Sequence, residues 1–215
     1  QSRSFASPDD KLPGGKDFGT AVHDVFEKMN WNLAEKDFDS FWLETQEIFE
    51  NYLKGFFPGR KDDIVLVGRL VHSILNKNMP GTTMPLCRIK NDDYVKEADF
   101  LTIAAKSWEG RYLVGTVDAL IRCDGKFYLL DWKNDRLKSY DEAFLRDFCK
   151  SEYGIQIDLY SKIIMQVLNI RNENDYRRLF GGFVYAFVRG GTMVMTDRLE
   201  WSEVKSFVEE QDDVY

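Results

Sequence analysis

No run of 18 or more apolar residues occurs anywhere in this chain of 215 residues, and its first residues, Gln1-Ser-Arg-Ser-Phe5, form no apolar core of a leader. The sequence therefore reads as having neither a secretory signal nor a membrane span, which predicts a cytoplasmic protein without membrane contact. Cysteine is scarce: Cys87, Cys123 and Cys149 are odd in number, far apart and without any C-x-x-C pair. That excludes a disulfide framework, a cysteine zinc site and an iron–sulfur cluster needing four thiolates, and predicts buried thiols in a reducing compartment. No G-x-x-x-x-G-K-[ST] occurs, and Gly14-Gly15-Lys16-Asp17 has neither the spacing nor the hydroxyl, so no ATP-driven motor lies in this stretch. There is no internal repeat and no low-complexity tract. The start lacks methionine and runs through polar residues to Pro13-Gly14-Gly15, which predicts a linker over residues 1–16 and a piece cut from something longer.

A hydrophobic content of 44% is enough to bury the core of one domain. The net charge of −7 argues against coating nucleic acid by bulk electrostatics, but charge is unevenly placed. Residues 60–90 carry Arg60, Lys61, Arg69, Lys77, Arg88 and Lys90 against Asp62 and Asp63, while residues 197–215 carry seven acids against Arg198 and Lys205. Such asymmetry permits one basic face and is equally compatible with ordinary solvated surface.

Periodicity divides the chain. Phe18, Val22, Val25/Phe26 and Met29 recur at helical spacing after Asp17, a candidate N-cap, so a first helix is predicted to about Trp31, followed by helices over 35–56 and 61–77. This gives a helical part over 17–80. Residues 95–106, 111–123 and 126–133 read as strands joined by tight turns at Glu109-Gly110 and Asp124-Gly125, an antiparallel meander. Ser139-Tyr-Asp-Glu142 reads as a capping box opening a helical segment that breaks at Gly154 and resumes from Ile155 to about Leu168. Phe183–Val188 reads as a strand buried on both faces, Met193–Thr196 as its short partner, and residues 200–213 as a final helix. The order predicts an α/β fold with a mixed central sheet, the core spanning 95–198 within one domain over 17–215.

The hairpin at Asp124-Gly125 carries the chemistry. With those two residues as a type I′ loop, Cys123 faces Lys126 and Asp118 faces Asp131. Lys133 then shares the face of Asp131, across from Thr116. Opposed Cβ atoms lie roughly 4.5–5.5 Å apart, and like charges at that distance destabilise the pair unless something offsets them. A divalent cation would: two carboxylates and a lysine are the minimum for metal-assisted phosphodiester hydrolysis, with Mg²⁺ or Mn²⁺ on the hard oxygens and the lysine orienting a bound water. The same spacing also describes a cross-strand charge cluster in which the lysine merely balances the acids. Gln156 and Tyr160 stand at i and i+4, hence on one helix face.

Six segments, F-G-T-A-V-H-D-V-F-E (18–27), K-E-A-D-F (96–100), G-T-V-D-A-L (115–120), K-F-Y-L-L-D-W-K-N (126–134), Y-G-I-Q-I-D-L-Y (153–160) and Y-R-R-L-F-G-G-F-V-Y-A-F-V-R-G (176–190), occur in the order found in a known family. Together they resemble the PD-(D/E)XK nuclease superfamily, and within it the C-terminal nuclease domain of the RecB family of exodeoxyribonuclease V. The resemblance implies a restriction-endonuclease-like core and a Mg²⁺-dependent deoxyribonuclease, with Mn²⁺ or Ca²⁺ as substitutes, acting on single-stranded DNA in recombination and double-strand-break repair. It implies a RecB-like helicase region and RecC- and RecD-like subunits as partners. Asp118, Asp131, His23 and the backbone carbonyl of Trp132 would bind the metal, and Lys133 would act on the water. Gln156 and Tyr160 match the family's Q-x-x-x-Y element beside the active site, and Glu97 falls on its E-x-x-F element. Trp132 stands where relatives more often have tyrosine, a change a carbonyl ligand should tolerate. The alternative is a degenerate nuclease-like scaffold that guides DNA or docks a partner.

Overall fold

Apolar residues recur at helical spacing before residue 80 and alternate at strand spacing after residue 94. These two patterns become two kinds of element in the computed structural model, which describes residues 12–103 and 112–205. The expected turn at Glu109-Gly110, and parts of the expected linker, first strand and final helix, lie outside the described residues.

The described residues form two compact units. Unit one takes 12–90, 132–141 and 186–193. Its helices are α1 (Lys16–Lys28), α2 (Phe38–Leu53) and α3 (Lys61–Leu75), with a 3-10 turn at Trp31–Glu35. The α1 pattern buries Phe18, Val22, Val25 and Phe26; α1 packs on α2 and α2 on α3, where Phe41, Phe49 and Leu53 of α2 and Val67, Val71 and Ile74 of α3 are buried as well, each at most 3% exposed. Each such side chain gains roughly 1.5–3 kcal/mol from leaving water. Trp132 joins this core, its ring stacked 3.7 Å from that of Phe26 and edge-on to Trp31 at 5.5 Å. Helix α1 starts one residue earlier than the expected cap: Gly15, with φ 96, is the N-cap, and Asp17 falls in the first turn. A side-chain cap does form at α2, where the Asp37 carboxylate accepts from Ser40 N at 3.0 Å.

Unit two takes 91–103, 112–131, 142–185 and 194–205. It holds a five-stranded sheet in the order β1 (Tyr94–Ile103), β2 (Tyr112–Cys123), β3 (Lys126–Lys133), β4 (Phe180–Phe187), β5 (Thr192–Thr196), the last residues of β3 and β4 and the first of β5 counting with unit one. β1, β2 and β3 form the expected antiparallel meander. β4 and β5, neighbours joined by four residues, are antiparallel by necessity, since a parallel return needs a crossover of a dozen or more. Helices α4 (Glu142–Glu152), α5 (Gly154–Val167) and α6 (Glu173–Leu179) connect β3 to β4. β4 is buried on both faces, as its unbroken apolar run predicts.

Two local expectations are corrected. The Ser139 hydroxyl accepts from Asp141 N at 3.1 Å, two residues on, and Glu142 pairs with Arg146, so the reciprocal capping box does not form. The short helix α6 was not expected; its cap is Asn172, whose side chain accepts from Asp175 N. A helix of seven residues shows no readable period, and only its Asn cap signals it.

Candidate active site

Asp124 and Gly125 take φ 50 and 75, the two positive values a type I′ turn requires, and this local geometry sets the register of everything beyond it. Cys123 pairs with Lys126, and the β2–β3 pairing runs as far as Ala119 with Leu130; continuing that register by one residue would set Asp118 against Asp131. Alternation along β2 buries Val117, Ala119 and Ile121, each at most 2% exposed, and turns Thr116 and Asp118 to the other face. On β3 it buries Tyr128, Leu130 and Trp132 and leaves Asp131 and Lys133 half-buried on the aspartate face.

Helix α5 supplies the rest of unit two's site. Gln156 Nε2 donates to Asp131 Oδ1 at 3.1 Å, and the Tyr160 hydroxyl donates to the Thr116 carbonyl at 2.6 Å. The i, i+4 spacing thus places one side chain on each of the two central strands. Tyr160 reaches β2 because Gly115 has no side chain: a Cβ there would lie 2.7 Å from the ring. Burial first, then the carboxylates of Asp131 and Asp118, push the Tyr160 hydroxyl above its ordinary pKa. Tyr185 of β4 is raised in the same way, by burial and then by Asp131. Its ring stacks on Tyr153 with centroids 5.0 Å apart. Two tyrosines kept protonated beside the aspartates are hydrogen-bond donors in a negatively charged surrounding. Glu97, flanked by the pairs Lys96–Ala119 and Ala98–Val117, occupies the cross-strand row of Asp118 and has φ 46, a strained value for a side-chain-bearing residue.

Unit one holds His23, Trp132 and Lys133. His23 stands on an α1 face with Lys16, Gly19 and Thr20, at helical spacing, and this face lines a pocket of about 460 Å³ together with Trp132, Lys133 and the following loop. The Lys133 carbonyl accepts from Val188 N at 2.9 Å, anchoring the end of β3. So the structure gathers Asp118, Asp131, Gln156 and Tyr160 in unit two and His23, Trp132 and Lys133 in unit one. The chain passes from the first set to the second at the Asp131–Trp132 peptide.

Sequence reasoning missed Tyr185, hidden inside an apolar strand run, and Arg189, which directly follows that run. Arg189 is only 4% exposed; its guanidinium donates to the Asn134 carbonyl at 2.8 Å and to the carbonyls of Leu12 and Pro13. Nothing local signals that partnership, because the partners are separated by as many as 177 residues.

Among the described residues, no group of three or more His, Cys, Asp and Glu side chains is arranged to hold a metal ion. Mg²⁺ requires less: one or two carboxylates, with waters and substrate oxygens completing its shell. The chemistry of the opposed pair, two hard anionic side chains with an amide already on one of them, fits that ion. All three cysteines are buried as free thiols, and no helix among the described residues is long and apolar enough to cross a membrane.

A five-stranded, mostly antiparallel sheet flanked by helices is consistent with a PD-(D/E)XK-like core. No protein-family model matches the chain. Whole-sequence comparison is specific: the chain is similar to the RecBCD enzyme subunit RecB of Borreliella burgdorferi, 26% identical over 205 residues that make up 84% of this chain and 17% of that protein. It is similar also to RecB of Escherichia coli, 24% identical over 204 residues, 84% of this chain and 17% of that protein. A third relative is an ATP-dependent helicase/nuclease of Streptococcus mutans, 24% identical over 166 residues, 76% of this chain and 12% of that protein. The resemblance to RecB read from separate motifs thus holds along most of the chain, which spans about one sixth of the length of those RecB relatives.

Proposed function

We propose that this chain is the nuclease part of a RecB-like helicase–nuclease and that it hydrolyses phosphodiester bonds of single-stranded DNA with Mg²⁺. The observation that supports the reading is the hairpin register, paired from Cys123–Lys126 to Ala119–Leu130 and leading directly to Asp118 and Asp131, with Gln156 bonded to Asp131. A Mg²⁺ ion bound there by Asp118 and Asp131 would supply charge neutralisation at the phosphate and a water of lowered pKa. Gln156 fixes the Asp131 carboxylate, as partners of metal ligands generally do. Tyr160, whose hydroxyl donates to the Thr116 carbonyl, holds α5 against β2 beside the aspartates. Lys133, on the face of Asp131, offers a cation for the developing charge. His23 and the Trp132 carbonyl are the further metal ligands that the RecB resemblance adds. RecC- and RecD-like subunits and a helicase region are the partners it implies, in a cytoplasmic complex acting in recombination and repair.

The test is Asp131→Ala. Metal-dependent cleavage of single-stranded DNA should vanish in the variant while its melting temperature stays near that of the wild type. Cleavage that persists unchanged in a clean preparation would overturn the assignment.

The second reading is a degenerate scaffold that guides DNA or docks a partner. Calorimetric titration with Mn²⁺ separates the two. The nuclease reading requires a binding isotherm that is lost in Asp118→Ala, and the scaffold reading requires none in either protein.

A further inference from the structure

The pocket of unit one holds more than the family motif needs. Of its lining side chains, Lys16, Lys133, Arg136 and Arg189 are cationic and Asp135 alone is acidic, in a chain whose net charge is −7. A concave surface whose charged side chains are mostly cationic focuses a positive potential that attracts an anion. Arg136 and Arg189 are fixed in place: Arg136 donates to the Leu12 carbonyl at 3.0 Å and Arg189 to the carbonyls of Leu12, Pro13 and Asn134. Cations held this way lose little freedom when a ligand arrives. The N-cap of α1, Gly15, has no side chain to take up the first-turn N–H groups, and a Cβ at Gly14 or Gly15 would meet nothing within 4 Å, which leaves that end of the pocket open.

We infer that this groove seats the phosphodiester backbone of a single strand, with Lys16 and Arg136 as phosphate contacts distinct from the residues assigned to catalysis. The inference rests on the proposed nuclease function for the identity of the strand; the anionic chemistry comes from the groove itself. A volume of about 460 Å³ lies within the roughly 300–1,000 Å³ of ordinary ligand sites. Contacts of this kind position a strand without reading its sequence.

The experiment is anisotropy of a labelled oligo-dT with the full chain, in EDTA so that nothing is cut, repeated over a series of salt concentrations. Each lost phosphate contact lowers the slope of log K against log salt by about 0.7 for a single strand. Lys16→Gln should show that loss, Lys16→Glu a larger one, and Arg136→Gln a similar one. Lys16 is exposed on the first turn of α1, so its variants should melt like the wild type. Slopes unchanged in both the Lys16 and Arg136 variants overturn the inference. So does Lys16-dependent binding of inorganic phosphate with no change in the oligonucleotide slope, which would mark a site for free phosphate. Because binding is read without metal, unchanged slopes with cleavage intact sink the groove alone. A Lys16-dependent slope in a wild-type chain that never cleaves supports the groove and sinks the nuclease reading alone.

Discussion

Gly115→Ala tests how α5 is held over the aspartates. The backbone at Gly115 lies outside the left-handed region, so the effect is steric: the new Cβ would sit 2.7 Å from Tyr160 Cε1 and 3.1 Å from its hydroxyl oxygen. Tyr160 is 8% exposed and its hydroxyl donates to Thr116 O at 2.6 Å, so the ring cannot retreat without losing that bond. Overpacking costs about 1–3 kcal/mol and a lost hydrogen bond about 1 kcal/mol. Alanine's smaller entropy loss in a strand returns roughly 0.5–1 kcal/mol. The net destabilisation is about 1.5–3 kcal/mol, a fall in Tm of roughly 3–12 °C for a chain of this size. Urea unfolding followed by circular dichroism, run on a double-mutant cycle with Tyr160→Leu, isolates the cause. With the ring removed, Gly115→Ala should cost almost nothing, giving a coupling energy of about 1.5–3 kcal/mol. A penalty equal in the two backgrounds to within about 0.5 kcal/mol would refute the claim that Gly115 exists to admit Tyr160.

Removing the amide in Gln156→Ala deletes the 3.1 Å bond to Asp131, and should weaken Mn²⁺ binding or cleavage about 10–100-fold. Unchanged calorimetry and unchanged rates would show that Asp131 needs no such support. Burial raises the Tyr176 pKa from 10.0 to about 12, so between those values the unfolded chain gives up a proton the folded chain keeps. Stability is therefore whole below about pH 10 and declines as pH rises toward 12. Urea midpoints over that range should fall less steeply in Tyr176→Phe than in the wild type, and parallel declines would contradict the assignment. Trp132→Ala should cost about 3–5 kcal/mol by opening the stack on Phe26, whereas Trp132→Tyr should fold and retain any metal-dependent cleavage, since the proposed ligand there is the carbonyl. Loss of cleavage in a folded Trp132→Tyr protein would give the indole itself a role.

Sequence proximity governed what could be foreseen. A two-residue turn whose φ values are dictated by Asp124 and Gly125 determines the pairing of the strands on either side, so the hairpin register from Cys123–Lys126 to Ala119–Leu130 is legible in the sequence. Helical spacing likewise put Gln156 and Tyr160 on one face of α5, and the unbroken apolar run of β4 announced its burial. The cap of α1 lies at Gly15, two residues before Asp17, because a glycine with positive φ ends the preceding segment without any side-chain signal.

By itself, then, the sequence determined the longer helices and strands, the hairpin register and the face on which the acids stand, because turn dihedrals and side-chain periods depend on neighbours within a few residues. The tertiary structure alone decided that Tyr160 lies on Gly115, that Tyr185 is buried close enough to Asp131 for that carboxylate to raise its pKa, and that Arg189 and Arg136 converge on the carbonyl of Leu12 to make a basic groove. Those are contacts between segments up to 177 residues apart, and they exist only when side-chain volumes from distant parts of the chain have been packed together.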